Sequence, residues 1–207
     1  MSRLIDLSHE ISSQMPVYPG DEPTELVQTK WLEQHHHNNH RLVISMHTGT
    51  HLDSPMHLLP STVYLSERPL EPFIGRGCLL DVRDQPVIQW RPEYEQLIPL
   101  GAAVLLYTGH DRHYGRDAYY ADHPIVEPTF SDGLLQRQIK LLGMDLPSPD
   151  QPPFPVHKRL LAAGAYVLEN LTNLGQLLGV ASFELIALPL KLRADGSPTR
   201  AVARIED

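Results

Sequence analysis

Met46-His47-Thr48-Gly49-Thr50-His51-Leu52-Asp53-Ser54-Pro55-Met56-His57 puts three imidazoles and one carboxylate within eleven residues, His47 to His57. These are the groups that bind zinc, manganese or iron. How this stretch folds decides how the rest of the chain is arranged around it. A zinc-protease helix, with two histidines four apart, needs Glu directly after the first His; here Thr48 stands there. Gly49, two β-branched threonines and Pro55 also disfavour a helix, so the stretch reads as extended or looped. In an extended chain alternate residues share a face, which puts His47, His51, Asp53 and His57 on one side. A straight strand fails nonetheless, because at ~3.3 Å per residue its ends lie about 33 Å apart, and metal–ligand bonds are only ~2.0–2.2 Å long. The chain must bend, and Gly49 and Pro55 are the residues that allow it. Any one of these histidines is ordinarily a polar loop residue; four candidate groups of one parity around Gly and Pro point to a cation.

Beyond this stretch, His157 opens the helix His157-Lys158-Arg159-Leu160-Leu161, and Glu169 follows the apolar strand Tyr166-Val167-Leu168. Two helical turns, a stop at Gly164 and a returning strand would bring Glu169 back beside His157. The tract His35-His36-His37-Asn38-Asn39-His40 has no carboxylate and no bend-setting residue, and reads as a solvated loop before a strand.

Strands are expected at Leu4–Leu7, 25–31, 42–46, 79–82, Ala103–Tyr107, 140–144, 166–168, 183–188 and 201–205. Helices are expected at 131–138, with Ser131 as a cap, at 156–163 and at 171–178. Alternating strands and helices, several strands continuously apolar, predict a mixed α/β architecture. The length of 207 residues suits one domain, 1–207. Net charge is −8, and no Lys/Arg run exceeds two residues, which excludes a phosphate-backbone tracker; nucleic acid is not an expected partner. No apolar run approaches the ~20 residues of a membrane span, so no membrane partner is expected either. Cys78 is the sole cysteine; it reads as a small buried thiol and fits a reducing compartment, and the protein is expected to be cytoplasmic.

The pattern His-x-Gly-Thr-His-x-Asp-x-Pro-x-His resembles the signature of the cyclase-like metal-dependent hydrolases, which include bacterial kynurenine formamidases and isatin hydrolases. The resemblance extends to Asp6-Leu7-Ser8-His9, Pro16-Val17-Tyr18-Pro19-Gly20-Asp21, Gly143-Met144-Asp145, His157-Lys158-Arg159-Leu160-Leu161, Glu169-Asn170-Leu171, Pro189-Leu190-Lys191 and Gly196-Ser197-Pro198-Thr199-Arg200. It implies a swivelling β/β/α fold, a homodimer or higher homo-oligomer, and a two-metal centre, usually zinc, with manganese as the alternative. It makes His47, His51, Asp53, His157 and Glu169 the metal ligands, with Asp53 and Glu169 as bridges, and His57 the general acid/base. Tyr18, where similar formamidases have Trp, becomes a substrate-facing ring. The small-molecule reaction implied is arylformamidase chemistry, N-formylkynurenine to kynurenine and formate. Hydrolysis of a cyclic amide of the isatin kind or of a lactone, or metal binding without turnover, are the alternatives.

Overall fold

The computed structural model describes residues 2–206. Nine strands form one mixed sheet: β1 (Ser2–Asp6), β2 (His51–Asp53), β3 (Ile74–Asp81), β4 (Ala103–Tyr107), β5 (Leu141–Met144), β6 (Tyr166–Glu169), β7 (Phe183–Ile186), β8 (Gly196–Pro198) and β9 (Val202–Glu206). Their spatial order is β1-β9-β7-β3-β4-β5-β6-β2-β8. The central four, β3 to β6, are parallel, and every other pairing is antiparallel.

Parallel neighbours need long crossovers. Two of these carry helices of two turns or more: α2 (Pro128–Gln136) between β4 and β5, and α3 (Pro155–Ala162) between β5 and β6. A one-turn helix, α1 (Pro55–Leu58), follows β2 directly. Both faces of β4, β5 and β6 are buried. On β4, Ala103 and Leu105 point into a core shared with Ile5, Leu185, Ala203 and Ile205 of the antiparallel strands, so the sheet curls over itself. Val104 and Leu106 point the other way, into a core closed by Phe130 and Leu134 of α2 and by Val156, Leu160 and Leu161 of α3. The mixed α/β architecture expected from the sequence is the one observed. Among the described residues, no helix is long and apolar enough to cross a membrane.

Several local expectations need correction. The strand expected at 42–46 runs instead over Asn39–Val43, taking in His40, because its hairpin register sets Val43 opposite Glu25. Of the histidine tract, His35 ends a helical turn, Leu32–His35, with His36 in the left-handed region, and only His36 to Asn38 form the exposed loop expected before the strand. Ser131 is no cap: α2 begins three residues earlier at Pro128, and the Ser131 hydroxyl donates to the Pro128 carbonyl. The helix expected at 171–178 shrinks to a single 3-10 turn, Leu174–Leu177, behind Asn170 and Asn173 in left-handed conformations. Cys78 is half-buried rather than buried, its thiol facing the Leu97 carbonyl. The expected bend at Pro55 is there, as the first residue of α1, so His57 sits on a helical turn.

Candidate metal centre

The register of β2 against β6 builds the centre. His51 lies directly opposite Glu169, and Asp53 opposite Val167. Side chains on paired strands alternate in step, so His51, Asp53 and Glu169 share the face on which Val167 packs, the face covered by α3. His157, in the first turn of α3, points back onto that face. All four residues are buried.

The upstream histidine arrives through a bend. Gly49 has φ +64°, and a Cβ there would meet the Met15 side chain at 2.6 Å, so both conformation and space call for glycine. Asn170, just past Glu169, pins this bend: its amide donates to the Gly49 carbonyl at 2.9 Å, its backbone carbonyl accepts from Thr50 Oγ1, and its Oδ1 accepts from the Tyr119 hydroxyl at 2.7 Å.

The polar atoms fall into two groups with the spacing of cation ligands: His51, Asp53 and Glu169, and His47, Asp53 and His57. Asp53 belongs to both; Glu169 belongs to the first alone. His157 Nε2 adjoins the first group, 3.0 Å from Glu169 Oε1 and 3.4 Å from Asp53 Oδ2. His51 Nε2 lies 3.4 Å from both Asp53 Oδ1 and Glu169 Oε2. That spacing is too long for a good hydrogen bond, but two atoms each ~2.1 Å from one tetrahedral ion are about 3.4 Å apart. His51 Nε2 and Asp53 Oδ2 are buried without a hydrogen-bond partner among the described residues, a costly state unless something else meets them. The far nitrogens are both committed: His51 Nδ1–H donates to the Gly49 carbonyl at 2.7 Å, and His157 Nδ1 pairs with Asp150 Oδ1 at 2.6 Å. This is how metal-binding imidazoles are oriented, with one nitrogen held and the other turned inward. The donor set fits a divalent cation.

Electrostatics agree. Burial opposes a charge on His51, yet Asp53 and Glu169 outweigh it and push its pKa up to about 10. At His47 burial is likewise overcome, by Asp195 and Asp53, and its pKa rises to about 9. The crowded carboxylates thus demand positive charge inside the cluster. His57 goes the other way: burial lowers its pKa, which keeps its imidazole neutral at neutral pH.

Two residues that the sequence did not single out support the ligand candidates. Asp150 accepts from the backbone N–H groups of Val156 and His157 while holding the His157 ring, so one carboxylate meets the first free N–H groups of α3 and orients a ligand candidate. Asp195, just before β8, lies 2.9 Å from His47 Nε2 and 3.3 Å from His57 Nδ1. Both stand in Pro- or Gly-rich loops, where an aspartate ordinarily reads as a turn former; their only sequence signal is that each neighbours a segment rich in site residues. Tyr18 is half-exposed and edge-on to Tyr120. With Leu58, Phe154 and Ser148 these rings line a cavity of about 270 Å3 whose floor is His47, His51, His57, His157 and Glu169.

A curled mixed sheet with an imidazole–carboxylate cluster at its strand ends defines a cyclase-like protein. Residues 5–151 match the family described as putative cyclase, and the chain belongs to that family. It is similar to the kynurenine formamidase of Geobacillus thermodenitrificans (strain NG80-2), at 32% identity over 99% of this chain and 98% of the relative. Among solved structures it superposes on isatin hydrolase A from Labrenzia aggregata bound to benzyl benzoate, with TM-score 0.87 and 27% identity, covering 100% of this chain and 94% of that one. It also superposes on a potential metal-dependent hydrolase with cyclase activity, with TM-score 0.80 and 26% identity over 100% of both chains.

Proposed function

We propose that this chain hydrolyses the formamide bond of an N-formylated arylamine, of which N-formylkynurenine is the model, releasing formate and the free amine. It is a hydrolase of the cyclase family. The observation that carries the substrate reading is a small aromatic-walled cavity standing directly over four converging ligand candidates and one neutral histidine. His51, Asp53, His157 and Glu169 would hold one divalent cation, and His47 with Asp53 a second; we propose zinc for both, with manganese as the alternative. Such cations, when bound, acidify water and polarise a carbonyl.

The chain's own groups do the rest. His57 accepts the proton of the attacking water at a ring nitrogen and returns it to the departing arylamine nitrogen, the role for which a neutral imidazole suits. Asp195, 3.3 Å from His57 Nδ1, fixes that ring and steadies its protonated form. Tyr18, Tyr120 and Phe154 flank the aryl group and displace water from the reacting carbonyl. The cavity is at the small end for ligand sites, which suits a single ring with a short substituent.

We further propose a cytoplasmic homodimer. Val27, Leu42 and Val43 on the hairpin and Leu190 beside it are exposed apolar side chains, and exposed apolar patches commonly mark association surfaces.

The test measures hydrolysis of N-formylkynurenine, of isatin and of a simple lactone by zinc-loaded protein, with chelator titrated in. Formamide turnover that disappears on chelation and returns with zinc is expected, with about two zinc per subunit by elemental analysis. Preference for isatin would shift the assignment to cyclic amides, which the likeness to isatin hydrolase A favours as the second reading. Undiminished turnover in metal-free protein would end the proposal.

A further inference from the structure

The mouth of the cavity is built by a tight turn. Asp21 N–H donates to the Tyr18 carbonyl at 3.0 Å, Pro19 occupies the second position, and Gly20 has φ +100° in the third, the pattern of a type II turn. A turn of this kind holds the side chains at its two ends close together. Both Tyr18 and Asp21 line the cavity. The Tyr18 ring meets Tyr120 edge-on, with centroids 5.6 Å apart. Burial raises the pKa of the Tyr120 phenol, and the nearby Asp21 charge adds to the effect. The turn therefore places the Asp21 carboxylate near two aromatic rings.

Asp21 is also unanswered. Among the described residues its carboxylate has no ion pair and no hydrogen bond. The cavity lining includes no Lys or Arg; its carboxylates are Asp21 at the mouth and Glu169 on the floor, and Glu169 is engaged there with His51 and His157. A carboxylate substituent on a bound ring would meet repulsion at the mouth. A cation would meet a carboxylate and the faces or edges of two phenols, the setting that favours ammonium groups.

We infer that Asp21 is a specificity-determining residue: with Tyr18 and Tyr120 it receives an ammonium group carried on a short side chain of the aromatic substrate. This rests on the hydrolase reading for the position of the ring over the floor. It adds that substrates of one shape are sorted by charge: cationic first, then neutral, then anionic.

The test uses three formanilides of matched shape: 2-(2-formamidophenyl)ethylammonium, 2-(2-formamidophenyl)ethanol and 2-formamidophenylacetate. With zinc-loaded protein, the KM of the cation is expected to be about fivefold below that of the alcohol, the scale of a partly solvated charge pair. Asp21→Asn is expected to bring the KM of the cation and that of the alcohol together, and Asp21→Lys to favour the acetate. Raised salt should weaken both the preference for the cation and the rejection of the acetate, leaving the alcohol unaffected. Calorimetric binding of the three corresponding aniline products to the same proteins gives the same ranking without turnover. If none of the formanilides is hydrolysed, the reaction assignment falls while the binding series still decides the role of Asp21. Equal binding of cation and alcohol by the wild-type protein, or a preference that survives in Asp21→Asn, would overturn the inference.

Discussion

At the scale of single residues, the centre rests on side chains held from behind. His57→Ala is expected to lower kcat by ~10²–10⁴ with zinc still bound, the range of acid–base catalysis. Because His57 also lies within ligand spacing of His47 and Asp53, zinc content measured on the same sample separates the two roles: a fall in zinc would make His57 a ligand. Asp150→Asn keeps shape but removes the charge behind His157. Metal affinity, measured by competition with a chromogenic chelator, is expected to fall by about 10–100-fold; an unchanged affinity would show that Asp150 serves α3 alone. These two aspartates of the support, Asp150 and Asp195, were not legible in the sequence. A carboxylate 7 residues from His157 or 138 from His57 becomes a partner only through the fold.

At the scale of elements, legibility followed how far each segment's own composition decides its conformation. Val104-Leu105-Leu106-Tyr107 is apolar throughout, and β4 spans the very residues expected, Ala103–Tyr107. Helix α3 lies within one residue of expectation, its end marked by Gly164 at φ +83°. The two strands that matter most to the centre were missed. His51-Leu52-Asp53 and Gly196-Ser197-Pro198 have the composition of loops, and they are strands because each pairs along its whole length, β2 with β6 and β8 with β2. Their packing is tight. A Cβ at Gly196 would lie 2.7 Å from His47 Cε1 and 2.9 Å from the Leu52 carbonyl oxygen. Gly196→Ala is therefore expected to cost about 1–3 kcal/mol in urea denaturation, as overpacking does, and to reduce zinc content by displacing His47. Wild-type stability and zinc content together would refute this account of the β8 edge.

For the whole molecule, pH dependence offers a readout at a histidine outside the ligand candidates. His9 stacks on Tyr114, with ring centroids 3.6 Å apart and planes 8° from parallel. Burial, only partly offset by Asp111, lowers its pKa to about 4. The unfolded chain takes up this proton near pH 6.5 and the folded chain only near pH 4, so the unfolded state binds more protons between them, and stability falls as pH drops through that window. In His9→Gln the slope of unfolding free energy between pH 6.5 and 4 should be shallower than in wild type; parallel slopes would contradict the burial of a neutral imidazole. The seam β6-β2-β8 carries a second consequence. It joins residues near 52, 168 and 197, and such distant closures come late because chain entropy must be overcome first. On the ribosome, His47 to His57 emerge more than a hundred residues before Glu169 and lack their partners throughout that interval. Capture of the proposed cations would then be an event of completed synthesis, and a nascent chain stalled near residue 160 would offer zinc only the loose grip of an unstructured histidine-bearing peptide.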